Sequence, residues 1–347
     1  MKNQRISAII PAFNKPKLLL ECIDALINQN RSLNAIFVMD NSSTDENVEA
    51  LYKYHYISEL SPRISDKPWE TEHIIYSNTR KNPINIYYIR FYKNTGATGG
   101  FYEGLKRAYE KGYDWFWLMD DDSEPVRDTL EKLVKHIKLS EVIALSSLKM
   151  NKHKDILYNH TGFLNFKGRF FQFIKPINET DIRNREFLRI DLSSWTGLLI
   201  NRKAIKKIGY PDKRFFIYYG DFEYCIRLNK VGKIYLIPNS VIIHKKPLEG
   251  VPQVIHKFLH IKTISRPYNI QWFFYYSTRN LIYLGKKYSP NKFHFLKELI
   301  KNYFAKLITI VLYDDFKYRR ILFWTSIFLD GLKGKFNNQK PKKILYG

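Results

Sequence analysis

A chain of 347 residues with 45% apolar and 16% aromatic content is long enough for one large α/β domain plus an appendage, and too apolar for a disordered tail. Its formal net charge of +24 calls for an anionic partner: nucleic acid, acidic lipid or a phosphorylated substrate. The two cysteines, Cys22 and Cys225, sit in predicted helices and offer neither a disulfide framework nor a CxxC pair, as expected in a reducing cytosol.

The first predicted strand, Ile6 to Ile10, begins so close to Met1 that no room for a signal peptide is expected. It runs into Pro11-Ala12-Phe13-Asn14, and a helix follows from about Lys17 to Gln29. A second strand over Ala35 to Met39 ends in Asp40-Asn41-Ser42-Ser43-Thr44-Asp45 and leads to a short helix. Residues 52–82 read as a polar, irregular insertion of no assigned role. A third strand, Ile84 to Ile89, enters Asn94-Thr95-Gly96-Ala97-Thr98-Gly99-Gly100-Phe101, after which a helix carries Glu103, Leu105, Ala108 and Tyr109. Strands and helices alternating at this spacing predict a parallel sheet with crossover helices, which binds ligands beyond the carboxyl ends of its strands.

The fourth strand, Tyr113 to Met119, ends in three aspartates, Asp120-Asp121-Asp122, with Ser123-Glu124-Pro125 reading as a turn or helix start. Three adjacent like charges need neutralising. A hard divalent ion held through carboxylate oxygen, with phosphate oxygens completing its shell, is one answer; a solvated acidic turn is the other. Each polar cluster falls at a strand end, which favours the metal. Asp40 is placed to accept hydrogen bonds from a nucleoside, although helix capping explains its neighbours equally well. The glycine turn at Gly96, Gly99 and Gly100 lets backbone approach a ligand, but it matches neither a Walker loop nor a dinucleotide fingerprint.

Residues 251–347 hold 18 Lys/Arg against 4 Asp/Glu, an excess of +14. These cations alternate with aromatics such as Trp272, Phe273, Tyr283, Phe304 and Trp324 on helical segments. That combination suits an anionic membrane surface. No nucleic-acid module accompanies it, so nucleic acid is not the expected partner. No uncharged run approaches the length of a membrane span, and Leu307 to Tyr313 is stopped by Asp314 and Asp315.

The segments Ile9 to Asn14, Val38 to Asp45 and Trp117 to Asp122 resemble the family 2 inverting glycosyltransferases of GT-A fold. Asn94 to Phe101 is similar to the NxGGAGGF element of the galactofuranosyltransferase and rhamnosyltransferase branch. Ser194-Trp195-Thr196-Gly197, Phe215 to Tyr224, Val241 to His244 and Gly331 to Phe336 extend the likeness over residues 6 to about 336. The resemblance implies an α/β GT-A fold over residues 1–255, with a mostly parallel central sheet. A helical, basic and aromatic region then fills 256–347, at a membrane surface or an acceptor.

By that resemblance Pro11, Phe13, Asn14 and Asp40 hold the nucleotide, and Asn94, Gly99 and Gly100 lie near the sugar diphosphate. Asp120 faces the ribose and shares the metal region with Asp122, while His244 completes the shell of Mn²⁺ or Mg²⁺. Asp221 is the general base. The family pattern there reads Asp-Asp-x-Glu, and this chain has Gly220 at its first position. Trp195 and Glu223 are assigned to the acceptor. Glu223 is also four residues from Arg227 and able simply to pair with it, and Trp195 is equally an ordinary core tryptophan.

The expectation is therefore a cytoplasmic transferase, peripheral at the inner face of the cell membrane and active in cell-envelope polysaccharide biosynthesis. It would move galactofuranose or rhamnose from a UDP- or dTDP-linked donor to a growing glycan or polyprenyl-phosphate-linked acceptor. Alternatives are UDP-glucose or UDP-galactose as donor, or a non-catalytic basic membrane-binding protein on a GT-A scaffold.

Overall fold

The structure, a computed structural model, describes residues 4–61, 66–79, 81–169, 173–245, 254–258 and 261–347. It divides into two compact units: residues 1–163, 176–213 and 220–247 form the first, and 164–175, 214–219 and 248–347 the second.

In chain order the first unit carries β1 (Ile6–Ala12), α1 (Pro16–Ile27), β2 (Ala35–Asp40), α2 (Asp45–Lys53), β3 (Trp69–Tyr76), β4 (Pro83–Arg90), α3 (Gly96–Glu110), β5 (Trp115–Leu118) and β6 (Ser123–Pro125). There follow α4 (Thr129–Val134), β7 (Val142–Met150), β8 (Thr161–Leu164), β9 (Ile174–Pro176), α5 (Glu179–Ile182), β10 (Leu188–Ile190), β11 (Leu192–Ser193), β12 (Leu198–Asn201), α6 (Arg202–Ile208), α7 (Gly220–Leu228) and β13 (Lys233–His244). The chain crosses into the second unit within β8 and back within β9.

A ten-stranded sheet runs β10-β13-β7-β12-β5-β1-β2-β4-β3, with β6 added on β13. The pairs β1–β2, β1–β5, β2–β4 and β7–β13 are parallel. Because β12 is antiparallel to both β5 and β7, all six of these strands point the same way. Their carboxyl ends share one edge of the sheet. β1 and β2 are buried along their whole length, which is why they read as continuous apolar runs. Helix α1 lays Leu19, Cys22, Ile23, Leu26 and Ile27 into the core; each large apolar side chain so buried contributes about 1.5–3 kcal/mol relative to exposure.

Two expectations need correction. Residues 52–82 are not wholly irregular: β3 pairs antiparallel with β4 as an edge strand, with Trp69, Thr71, His73 and Ile75 turned inward and their neighbours exposed. Its inward face mixes polar and apolar types, so the alternation does not register as hydrophobic periodicity. Residues 62–65 and 80 of that stretch lie outside the described residues. Ser123-Glu124-Pro125 is strand β6, paired with Ile242, Ile243 and His244 of β13, and the helix starts only at Thr129. A three-residue strand is defined by its partner, here more than a hundred residues away.

The second unit carries β14 (Val254–Phe258) and β15 (Ile261–Ser265), paired antiparallel. Helices α8 (Trp272–Tyr288), α9 (Lys292–Tyr313), α10 (Lys317–Lys333) and α11 (Lys340–Tyr346) follow. Its core gathers Phe173, Tyr275, Ile282, Phe295, Phe323, Ile327 and Leu345. Gly331 is required there, since a Cβ would lie 2.7 Å from Ile282. Within this unit Phe216, Tyr218 and Tyr219 all take left-handed backbone, with φ of 64°, 62° and 61°. Fully buried Asn280 of α8 holds that segment, its amide donating to the carbonyls of Phe215, Ile217 and Tyr218 at 3.1, 2.9 and 2.8 Å.

Candidate active site

The loops after β1, β2 and β4 are tied together by short polar side chains. Asn14, at φ 50°, donates its N–H to Ser43 Oγ and accepts Thr44 N–H on Oδ1 at 2.8 Å. Asparagine tolerates this left-handed conformation better than most residues. Asn41 Oδ1 accepts from the backbone N–H and hydroxyl of Thr95, and Asn94 Oδ1 accepts Gly96 N–H at 2.8 Å. Asp40 is fully buried and accepts from Ser43 N–H at 2.7 Å and Tyr88 hydroxyl at 2.6 Å. Gly99 and Gly100 are packing glycines: a Cβ would come within 2.5 Å of Thr95 and 2.8 Å of Pro11. Phe13 remains 44% exposed at the lip of these loops.

Beyond β5 the three aspartates face different partners. Asp121 is buried, accepting Phe13 N–H at 3.1 Å and Lys15 Nζ at 3.0 Å. Burial pushes its carboxyl up to about 6 against the pull of Lys15. Lys15 also donates to Asp122 Oδ2 at 2.8 Å. Asp120 accepts the Thr196 hydroxyl; Thr196 is placed by Gly197, whose N–H bonds Leu118 carbonyl at 2.8 Å. Gly197 has φ +74° and no space for a Cβ against Ile242.

The β6–β13 pairing sets His244 opposite Ser123, and so beside Asp122. Its Nε2 lies 3.2 Å from Asp122 Oδ1 and 3.6 Å from Asp120 Oδ2. Asp120, Asp122 and His244 each offer an atom within 4.8 Å of the others, while His244 Nδ1 is buried without a hydrogen-bond partner. Burial opposes a charge on this ring, but the two carboxylates outweigh it and raise His244 to about 9. Burial of Asp122 is likewise overcome by His244 and Lys15, which lower it to about 2.

Asp221 stands in the first turn of α7, its Oδ1 accepting the Phe222 N–H at 2.9 Å. Burial pushes it up to about 7, with Asp120 adding in the same direction and Lys149 opposing. Lys149 is itself buried among Ser146 and Ser193 hydroxyls at 2.7 and 2.8 Å, and burial lowers it to about 7.

Against this geometry, the sequence profile of the family described as Glycosyl transferase family 2 matches residues 7–209. The chain belongs to that family. The galactofuranosyltransferase GlfT1 of Mycolicibacterium smegmatis is 23% identical over 230 residues, covering 65% of this chain and 66% of the relative, just under two thirds of its length. Among solved structures, Staphylococcus aureus TarS 1-349 in complex with UDP has a TM-score of 0.53 at 13% identity, over 98% of this chain and 82% of that one. GalNAc-T7 with UDP, GalNAc and Mn²⁺ has a TM-score of 0.50 at 16% identity, over 71% of this chain and 44% of that one. These structures share the GT-A fold.

In this family 2 glycosyltransferase, Asp120, Asp122 and His244 converge, and Asp221 is near enough to feel the charge of Asp120. The two acceptor candidates are buried against protein partners. Glu223 is buried, its carboxylate taken by Arg227 Nε at 2.9 and 3.2 Å. Arg227 also bonds the carbonyls of Ile208 and Tyr210. Trp195 is 6% exposed, packed against Phe101 at 4.9 Å and Tyr224 at 5.9 Å. Lys15 and Lys149 escaped the sequence reading, and Thr196 stood in a motif there without a role. Lys15 directly follows the Pro11–Asn14 segment and offered a signal; Lys149, inside an apolar strand, offered none.

Proposed function

We propose that this transferase moves galactofuranose or rhamnose from a UDP- or dTDP-linked donor to a growing glycan or polyprenyl-phosphate-linked acceptor with inversion. The observation that carries this reading is the meeting of Asp120, Asp122 and His244 at the carboxyl edge of the sheet, with Asp221 held near neutrality beside them. The galactofuranosyltransferase relatives support the donor class, and the UDP in the solved relatives supports a uridine nucleotide.

Two carboxylates and the imidazole Nε2 that faces them at 3.2 and 3.6 Å fit a divalent ion, Mn²⁺ better than Mg²⁺ because imidazole suits the softer ion. Asp120, Asp122 and His244 would hold it. When bound, such an ion supplies positive charge to the departing diphosphate. The Asp221 carboxylate takes the acceptor hydroxyl proton as the acceptor oxygen bonds the anomeric carbon and the bond to the diphosphate breaks. A carboxyl near 7 is matched to that task at neutral pH. Asn14, Asp40 and Asn94 order the loops that receive the nucleotide, and Phe13 offers it an exposed ring. The basic excess of the C-terminal helices, +14 over residues 251–347, supports a seat at the inner face of the cell membrane, where a polyprenyl-linked acceptor would be met.

The test is a screen of nucleotide sugars with Mn²⁺ against a lipid-linked acceptor, read by mass. Gain of one hexose or one deoxyhexose, abolished by EDTA, is expected; no transfer from any donor sinks the reading.

A further inference from the structure

Helix α9 has two apolar faces. Its inner face carries Phe295, Leu299 and Ile310, all buried in the second unit's core. The opposite face should be polar on a helix packed against a core in water. Instead it presents Phe293, Leu296, Ile300, Phe304, Ile308 and Val311, spaced three or four apart and therefore aligned along the helix. Phe293 is 79% exposed and Phe304 56%. At about 1.5 Å per residue, the 22 residues of α9 make a stripe on the order of 30 Å long.

The charges around the stripe are all of one sign. Lys292, Lys297 and Lys301 are exposed, and Lys297 lies within the stripe by helical position. The helix has one acidic residue, Glu298, and it is buried. Downstream, Asp314 is buried against Lys306 and Arg320, and Asp315 pairs with Arg320. Phe316 and Tyr318, 60% and 75% exposed, continue the aromatic surface into α10. Among the described residues no helix is long and apolar enough to cross a membrane.

We infer that the outer face of α9 is the membrane seat of this protein, lying in the plane of an anionic bilayer. Its apolar side chains enter the acyl boundary and its lysines meet phosphate headgroups. This rests on the surface-bound reading above and assigns it to one helix face. Charge decides between a bilayer and a second copy of this chain: two such faces brought together would oppose their own lysines, whereas an anionic surface neutralises them. Long lysine stems also let an ammonium reach the headgroups while the stem stays apolar.

The full chain tests this by co-sedimentation with phosphatidylcholine vesicles, pure or containing about a third phosphatidylglycerol. Binding to the anionic vesicles should be reversible by salt and roughly tenfold stronger than to neutral ones. Ile300→Glu with Phe304→Glu should weaken it by about tenfold or more. Its melting temperature and its transfer to a water-soluble acceptor should be unchanged, since neither residue belongs to the site. Lys297→Glu with Lys301→Glu, made wholly at the surface, should abolish the preference for anionic lipid. Vesicle binding that ignores both double variants overturns the inference. So does wild-type indifference to anionic vesicles, or a dimer that Ile300→Glu/Phe304→Glu dissolves. If no sugar is transferred but vesicle binding still follows α9, the transfer reading falls and this one stands.

Discussion

As the proposed base, Asp221 would act where its surroundings disfavour its charge, and that tension is measurable. Its carboxyl is raised to about 7, burial being the main cause, so transfer should fall with a single proton as pH drops below about 7. The same shift means that folding favours the protonated form. Stability from this group is present below the ordinary carboxylate range and lost as pH rises through about 7. Asp221→Asn should therefore abolish transfer, retain nucleotide binding, and at pH about 8 be more stable than the wild type by on the order of 1 kcal/mol. Calorimetric nucleotide titration and urea melts check both halves. An asparagine variant that is less stable would put the base in the wrong environment.

Gly220 is a second residue with a local account. A Cβ there would lie 2.4 Å from the Thr98 hydroxyl, so the aspartate of the family pattern has no room beside this threonine. The NxGGAGGF element has alanine at that position, and the two departures compensate one another sterically. Gly220→Asp alone should cost about 1–3 kcal/mol by overpacking. Thr98→Ala should recover most of it, a coupling that a double-mutant cycle on thermal unfolding would reveal.

At the level of elements, the site is a product of sheet edge and register. β1, β2, β4 and β5 deliver Phe13, Asp40, Asn94 and Asp120 to the same end, and their runs were legible because strands buried on both faces are mostly apolar, with only Ser7 and Asn85 interrupting β1 and β4. β13 was not legible as the partner of β6, and without that pairing nothing in the spacing places His244 beside Asp122. The pairing predicts a pH signature. In metal-free protein His244 is held charged up to about 9, so its contribution is fully present below about 6.5 and lost as pH rises through about 9. The stability gap between wild type and His244→Gln in EDTA should shrink between pH about 7 and about 10. An unchanged gap would mean the ring is neutral. In the second unit, Asn280→Leu would strip three carbonyls of their donor and release three left-handed residues. A loss of about 2–4 kcal/mol in urea melts is expected.

On the scale of the molecule, composition and charge were the most transparent layer. An excess of +14 over residues 251–347 calls for an anionic partner without saying which helix would face it. The aromatic residues of α8 and α10 that drew notice in the sequence are largely core, Tyr275, Phe323 and Trp324 among them. The exposed stripe belongs to α9. Sequence alone cannot divide a helix that is apolar on both sides, because periodicity marks a buried face only when the other face is polar. Nor could it show that the chain leaves the first unit at 214 and returns at 220, six residues that interrupt neither apolar pattern nor motif.

That short excursion has a bearing on how the protein is made. Residues 214–219 lead directly into Asp221, yet the amide that fixes their carbonyls arrives with Asn280, some sixty residues later in synthesis. At roughly 5–20 residues per second, a ribosome exposes Asp221 for several seconds before the side chain that orders its approach exists. A nascent chain stopped near residue 265 therefore holds Asp120, Asp122, Asp221 and His244, with the segment before Asp221 still without the Asn280 amide. The ordering of residues 214–219 is thus a late step, completed only when α8 has been made, and a chain shortened before Asn280 lacks the amide that holds their three carbonyls.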